Sequence, residues 1–191
     1  MNRIVFASLA ALVGASAFAA PVTYVLDPSH TFPSFEADHM GGLSVWRGKF
    51  TTTSGKVVYD QDAKAGSIEV TIDMSSVSFG VSRLDEHVKG SEVFDVAKFP
   101  TATYSGKFTK FNGAAPTEAQ GTLTMHGVTK PVTLSINSFL CKTNPMSKRQ
   151  VCGADASATF DRSDFGVSIG REMGFKQEVK LQIQVEGSPA A

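Results

Sequence analysis

The side chains able to do chemistry are few and scattered. Four histidines stand at His30, His39, His87 and His126. A metal centre usually shows one close pair, at i and i+4 on a helix or i and i+2 on a strand, and these four form none. Only a site assembled from distant strands remains, so no metal ligand is assigned. Asp85 and His87 could act as an acid–base pair, with Ser82 or Ser91 as nucleophile, which is the chemistry of a hydrolase. Their i, i+2 spacing points the two side chains to different sides of a helix, and no Gly-x-Ser-x-Gly elbow is present. Asp85 is better explained as a first-turn carboxylate favoured by the helix dipole. No catalytic residue is therefore assigned. Cys141 and Cys152 are the only cysteines. In an exported chain they read as a disulfide closing the loop 142–151, worth about 3 kcal/mol on the chain-entropy model. A metal or redox pair is the alternative; against it, the spacing is not C-x-x-C and no histidine lies between the two.

Export is itself a reading of the first residues. Arg3 supplies a positive start, Ile4 to Val13 a short apolar run, and Ala17-Phe18-Ala19 a cleavage box, with the cut expected after Ala19. The apolar run is too short for a membrane span, and no later stretch approaches spanning length. A periplasmic protein is the expectation. Removing the first 19 of 191 residues leaves 172, enough for one domain over 20–191 and too few for two. Without Arg3 the chain carries 17 basic against 18 acidic side chains, scattered rather than clustered, so nucleic acid is not an expected partner.

The elements that would position these groups are strands. Thr23–Leu26 reads as the first, and Phe35, Ala37 and His39 alternate along the second. Val45–Tyr59 reads as one long strand with bends at Gly48 and Gly55. Ile68, Val70, Ile72 and Met74 alternate cleanly with polar residues. Thr101–Phe111 follows, then Thr122–Met125 and Val132–Phe139 joined by a hairpin at His126-Gly127. Ala154, Ala156, Ala158 and Phe160 alternate, as do Val179, Leu181, Ile183 and Val185. One stretch breaks the pattern. Ser82, three residues before Asp85, predicts a capped helix over about 82–90, with Leu84 and Val88 on one face and Gly90 as a left-handed stop. Beyond it, Val93, Phe94, Val96 and Phe99 are apolar without period, as in a plug. About eight antiparallel strands and one helix predict an all-β sandwich or closed barrel. The apparent inward faces mix large aliphatics with small residues (Ala154, Ala156, Ala158, Ala102, Gly106, Gly121). Either the barrel keeps an apolar space, or facing side chains interdigitate and fill it.

Several segments together resemble the YceI-like family: Leu26-Asp27-Pro28-Ser29-His30-Thr31 with Phe35 and His39, then Gly48-Lys49-Phe50. Leu84 to Lys89 and Phe94 to Tyr104 belong to the same set, as do Gly127 to Val132 and Asp161-Arg162-Ser163-Asp164-Phe165-Gly166. The resemblance covers essentially the whole chain after the leader. It implies an extended antiparallel eight-stranded lipocalin-like barrel, exported to the periplasm, enclosing a long tunnel. It implies a lipid ligand, an isoprenoid quinone, a prenyl pyrophosphate or a fatty-acid derivative, with no family-wide enzyme activity and no further cofactor. Two features depart from the family pattern: Leu84 stands where many relatives carry arginine, and only part of the family has the Cys141–Cys152 loop.

On such a barrel the expected tunnel wall comprises Phe35, Ala37, Trp46, Phe50, Ile68, Val70, Ile72, Phe94, Phe99, Ala102, Tyr104, Ala156 and Ala158. Arg83, His87 and Lys89 would face the head group at the mouth. The expected function is binding, sequestration or carriage of a polyisoprenoid or similar amphiphile. An enzyme acting on a lipid head group, or a solidly packed stress-protective module, are the alternatives. The oligomeric state is left open, with a homodimer one option.

Overall fold

The structure, a computed structural model, describes residues 20–190. The leader reading of residues 1–19 lies outside the described residues. Eleven strands form one antiparallel sheet: β1 (Val22–Leu26), β2 (Phe32–His39), β3 (Ser44–Phe50), β4 (Thr53–Asp60), β5 (Ala65–Asp73), β6 (Val77–Ser78), β7 (Thr101–Asn112), β8 (Ala115–Met125), β9 (Val128–Thr143), β10 (Gln150–Asp161) and β11 (Glu178–Pro189). Eight of them close a ring in the order β1-β4-β5-β7-β8-β9-β10-β11, with β11 returning to β1. The lipocalin-like closed barrel read from the sequence is the observed fold. Closure leaves the ring no open edge along which another chain could add.

One edge of β11 serves two strands. Gly187–Pro189 pair with β1 and close the ring, whereas Val179–Gln184 pair with β2. β2, β3 and β6 thus form a flap that branches from the ring at one end. Alternation sets which side chains point inward: in β7, Ala102, Tyr104 and Gly106 are buried between exposed Thr101, Thr103, Ser105 and Lys107.

Two local expectations are corrected. Val45–Tyr59 is not one strand. Thr51 N–H donates to Ser76 O (3.2 Å) and Thr52 N–H to Ser76 Oγ (3.0 Å), so the chain leaves the flap here and enters the ring. Gly55 sits in unbroken register opposite Val70 and is no bulge; at φ +152° a β-carbon there would strike the Glu69 carbonyl. The helix α1 (Ser82–Lys89) also starts and stops differently. Ser82 is its first residue rather than its cap, the cap position being Val81 without a side-chain bond. Asp85 instead reaches back, its Oδ1 accepting from Phe79 N–H at 2.6 Å. Gly90 is extended (φ −66°, ψ 170°), and the left-handed residue is Asp95 at φ 44°. The chain needs that extended exit because it folds back over the helix end, Phe94 N–H donating to Val88 O at 3.0 Å.

The cysteines are joined as read. Cys141 and Cys152 stand directly opposite each other on β9 and β10 and form a disulfide.

Candidate functional site

The inward faces do not meet. They enclose a cavity of about 520 Å³, within the range of pockets that take up small ligands. Many inward side chains, among them Val57, Val70, Ile72, Leu181 and Ile183, are only partly buried although they lie inside the barrel, because they line this space. A solidly packed core would have buried them, so the filled-barrel alternative is not what the structure shows.

The two ends differ. At one end Tyr24, Tyr59 and Cys152 are buried and pack with Phe108, Phe111, Phe139 and Cys141. Tyr59 stacks edge-on with Phe108 and Phe139, and Tyr24 Oη donates to Gln150 Oε1 at 2.9 Å. That end is closed. At the other end the wall includes side chains that also meet solvent: exposed His87 on α1, Trp46 at 36% on β3, and Met173 at 61% in the turn Arg171–Met173. The cavity opens there, between α1, the β2–β3 hairpin tip and the 170–175 turn.

The mouth is held by polar groups. Asp38 Oδ2 accepts from Gly41 N–H and from Lys176 N–H, both at 2.9 Å, tying the hairpin tip to the turn. These bonds, the one from Lys176 first, hold the Asp38 carboxyl below its ordinary range. His39 lies edge-on to both Trp46 (5.4 Å) and Phe175 (5.3 Å). Arg162 lines the cavity while itself buried at 9% exposure; it donates to Val167 O (3.0 Å) and Ile169 O (2.7 Å). Burial pulls its guanidinium pKa down, the nearby Asp161 carboxylate opposing, and an arginine keeps its charge under such conditions. A buried cation bonded to carbonyls thus stands in an otherwise apolar wall. Thr53 Oγ1 is buried on the wall with no hydrogen-bond partner among the described residues.

Of the positions named from the sequence, Phe35, Ala37, Trp46, Phe50, Ile68, Val70, Ile72, Phe94, Ala102, Tyr104, Ala156 and His87 stand on the cavity wall. Four do not. Phe99 stacks on His126 at 4.4 Å and fills the space above Gly127, pinning the plug to the β8–β9 hairpin. Ala158 packs into the core cluster beside the cavity. Arg83 is exposed, and Lys89 pairs with Glu86 Oε1 at 3.0 Å. Gly106 and Gly121, read as space, are cross-strand neighbours whose missing β-carbons make room for the Tyr104 ring. Sequence reasoning passed over Arg162, yet the signal was present. The inward parity of Ala154, Ala156 and Phe160 continues to position 162, where an arginine on a dry face is unusual.

Asp85 is occupied by Phe79 N–H, and Ser82 and Ser91 are exposed. Among the described residues no group of three or more His, Cys, Asp or Glu could hold a metal ion, and no helix is long and apolar enough to cross a membrane.

Comparison with known proteins places this geometry. The model of the YceI-like domain matches residues 24–187. The chain belongs to the YceI-like family. A UPF0312 protein of Vibrio vulnificus is 31% identical with 98% of each chain covered, and Protein YceI of Salmonella agona 34% identical over 95% of this chain and 93% of its own. Among solved structures, Burkholderia cenocepacia BcnA superposes with a TM-score of 0.68 at 23% identity, covering 84% of this chain and 98% of that one. A polyisoprenoid-binding domain of Saccharophagus degradans superposes at 0.62 with 15% identity, over 88% of this chain and 99% of its own. These likenesses establish the barrel.

Proposed function

We propose that this YceI-like chain is a periplasmic protein that binds and carries a long-chain amphiphile of the isoprenoid type, an isoprenoid quinone or a prenyl phosphate, without covalent chemistry. The observation that carries the reading is the cavity itself: about 520 Å³, apolar from Tyr59 at the closed end to Trp46 at the open one. Each methylene enclosed there is worth about 0.8 kcal/mol of transfer free energy, so a chain rather than a polar metabolite is the matched guest. The polar groups gather at the mouth, where Asp38, His39, His87 and Arg162 can receive a head group while the tail runs inward. The polyisoprenoid-binding domain of Saccharophagus degradans supports the same ligand class. The Cys141–Cys152 disulfide supports an oxidising compartment.

Native mass spectrometry of the protein purified from a bacterial periplasmic extract tests the reading, with solvent extraction to identify the guest. An added mass that extracts as a prenyl lipid is expected. An empty protein that also fails to take up a quinone or prenyl phosphate from detergent would overturn it. Recovery from the cytoplasmic fraction of the native host, with the leader intact, would sink the localisation.

A further inference from the structure

Exposed apolar side chains fall at the two ends of the barrel, with Val22, Val25, Leu140 and Met146 toward the sealed one. Among the described residues ten large ones are exposed, and six surround the cavity mouth: Met40, Leu43, Val45, Trp46, Val81 and Met173. They come from three stretches brought to one end by direct contacts. The hairpin tip lies against the 170–175 turn, where a β-carbon on Gly41 would stand 3.1 Å from Gly174 O, and His39 meets Phe175. Trp46 lies 6.1 Å from Phe79, two residues before Val81. Leu43 is 73% exposed at the tip of the hairpin. Trp46 and Met173 belong to both surfaces, exposed on the rim and lining the cavity, so apolar side chains link exterior and interior at these two points.

We propose that this rim is a membrane-docking surface: Leu43, Met40 and Val81 insert into the surface of a lipid bilayer, setting the open mouth against the acyl region. The inference rests on the reading of the chain as a lipid carrier. A bilayer is favoured over a protein partner by how the side chains are arranged. They come from three separate stretches around an opening, and a stable protein interface needs a continuous, shape-matched patch. Acyl chains flow around isolated apolar side chains and need no such match. A tryptophan at the boundary suits the headgroup level, where its ring is half in each phase. Charges around the rim are mixed in sign: Arg47 pairs with Glu36 at 2.8 Å, and Arg171 and Lys176 stand near Glu172 and Asp38. Attachment is therefore by apolar insertion and depends little on salt or on anionic lipid. A guest entering through such a contact moves from one apolar phase to another without crossing water.

The test is flotation of the purified full-length chain, as processed by its host, with vesicles of phosphatidylethanolamine and phosphatidylglycerol, and with phosphatidylcholine alone, at about 0.1 and 0.5 M salt. The wild-type protein should float with both vesicle types, the bound fraction changing less than twofold with salt. Leu43→Asp combined with Val81→Asp should lower it at least fivefold, while melting temperature and the guest mass in native spectra stay unchanged; neither residue lines the cavity. Trp46 is the only tryptophan, and its emission should shift to the blue with vesicles in the wild type and not in the variant. Failure of the wild type to float would overturn the proposal, even if it carries a guest. Flotation lost at high salt would overturn the insertion. A variant that floats normally but turns a dimer into a monomer would show the rim to be an interface between copies, and would overturn it too. A protein that floats but holds no guest would sink the carrier reading instead, so the two failures are distinguishable.

Discussion

At the scale of single residues, Tyr104 shows how the wall is finished. Its ring lies over Gly106 and Gly121, and its hydroxyl donates to Val132 O at 3.0 Å. Tyr104→Phe keeps the ring and removes the bond, and should cost about 1 kcal/mol in urea unfolding. Burial pushes the phenol up to about 12 from an ordinary 10.0. Because the folded value is raised, the contribution is complete below pH 10 and is lost as pH rises toward 12. Melting temperature should fall across that window, and fall less steeply in Tyr104→Phe. Asp38 has the opposite sign. Its folded carboxyl sits below the ordinary 3.8, so its contribution is complete above that value and is lost as pH falls through the depressed one. Amide exchange at Gly41 and Lys176, the two donors it holds, should accelerate in that acid range ahead of amides in β8 and β9. Unchanged protection at those two sites would contradict the latch.

At the scale of elements, Ala154 and Ala156 on β10 keep the cavity wide opposite Val185 and Ile183 on β11. In a filled core, enlarging such a residue typically costs 1–3 kcal/mol. Ala154→Phe, at a partly exposed position on the cavity wall, points into open space instead, and should leave the melting temperature within a few degrees while abolishing guest retention in native spectra. A large loss of stability would mean that the space is smaller than described. The strands themselves were legible in the sequence because a two-residue period survives wherever one face is dry, as along Ile68–Ile72 and Val179–Val185, though Met74, read as the next strand position, begins a 3-10 turn. The hairpin at His126-Gly127 was legible for a related reason: both residues adopt positive φ, as a two-residue turn demands. The break at Thr51-Thr52 was not. Threonines suit a strand, and the chain turns there because partners on Ser76, far along the sequence, take their amides. The helix start misled likewise, since Ser82 and Asp85 satisfy a capping pattern while the true acceptor role of Asp85 points to Phe79. The wall was mostly readable from parity, but which inward alanines meet the cavity depends on neighbours from other strands, as Ala158 shows.

At the scale of the whole molecule, the barrel has a sealed end and an open one. The seal combines the Tyr24, Tyr59 and Phe139 cluster with the disulfide across β9 and β10. Replacing both cysteines by alanine should lower stability by about 3 kcal/mol, read as a urea midpoint shift, with the mouth and its guest retained. Loss of the guest as well would mean that the seal and the mouth are coupled. The same end brings the first and last strands together. β1 pairs with Gly187–Pro189, and Ala190 N–H donates to Thr23 O at 2.8 Å. Residues 21 and 190 therefore lie close together, joined through hydrogen-bonded neighbouring strands. A short linker from residue 190 to residue 21, with new ends cut in the exposed turn at 61–64, should give a circular permutant with the same melting cooperativity and the same bound mass. Such a chain would begin with β5 and end with β4, and a domain fused to either new end would sit at the sealed end, away from the mouth.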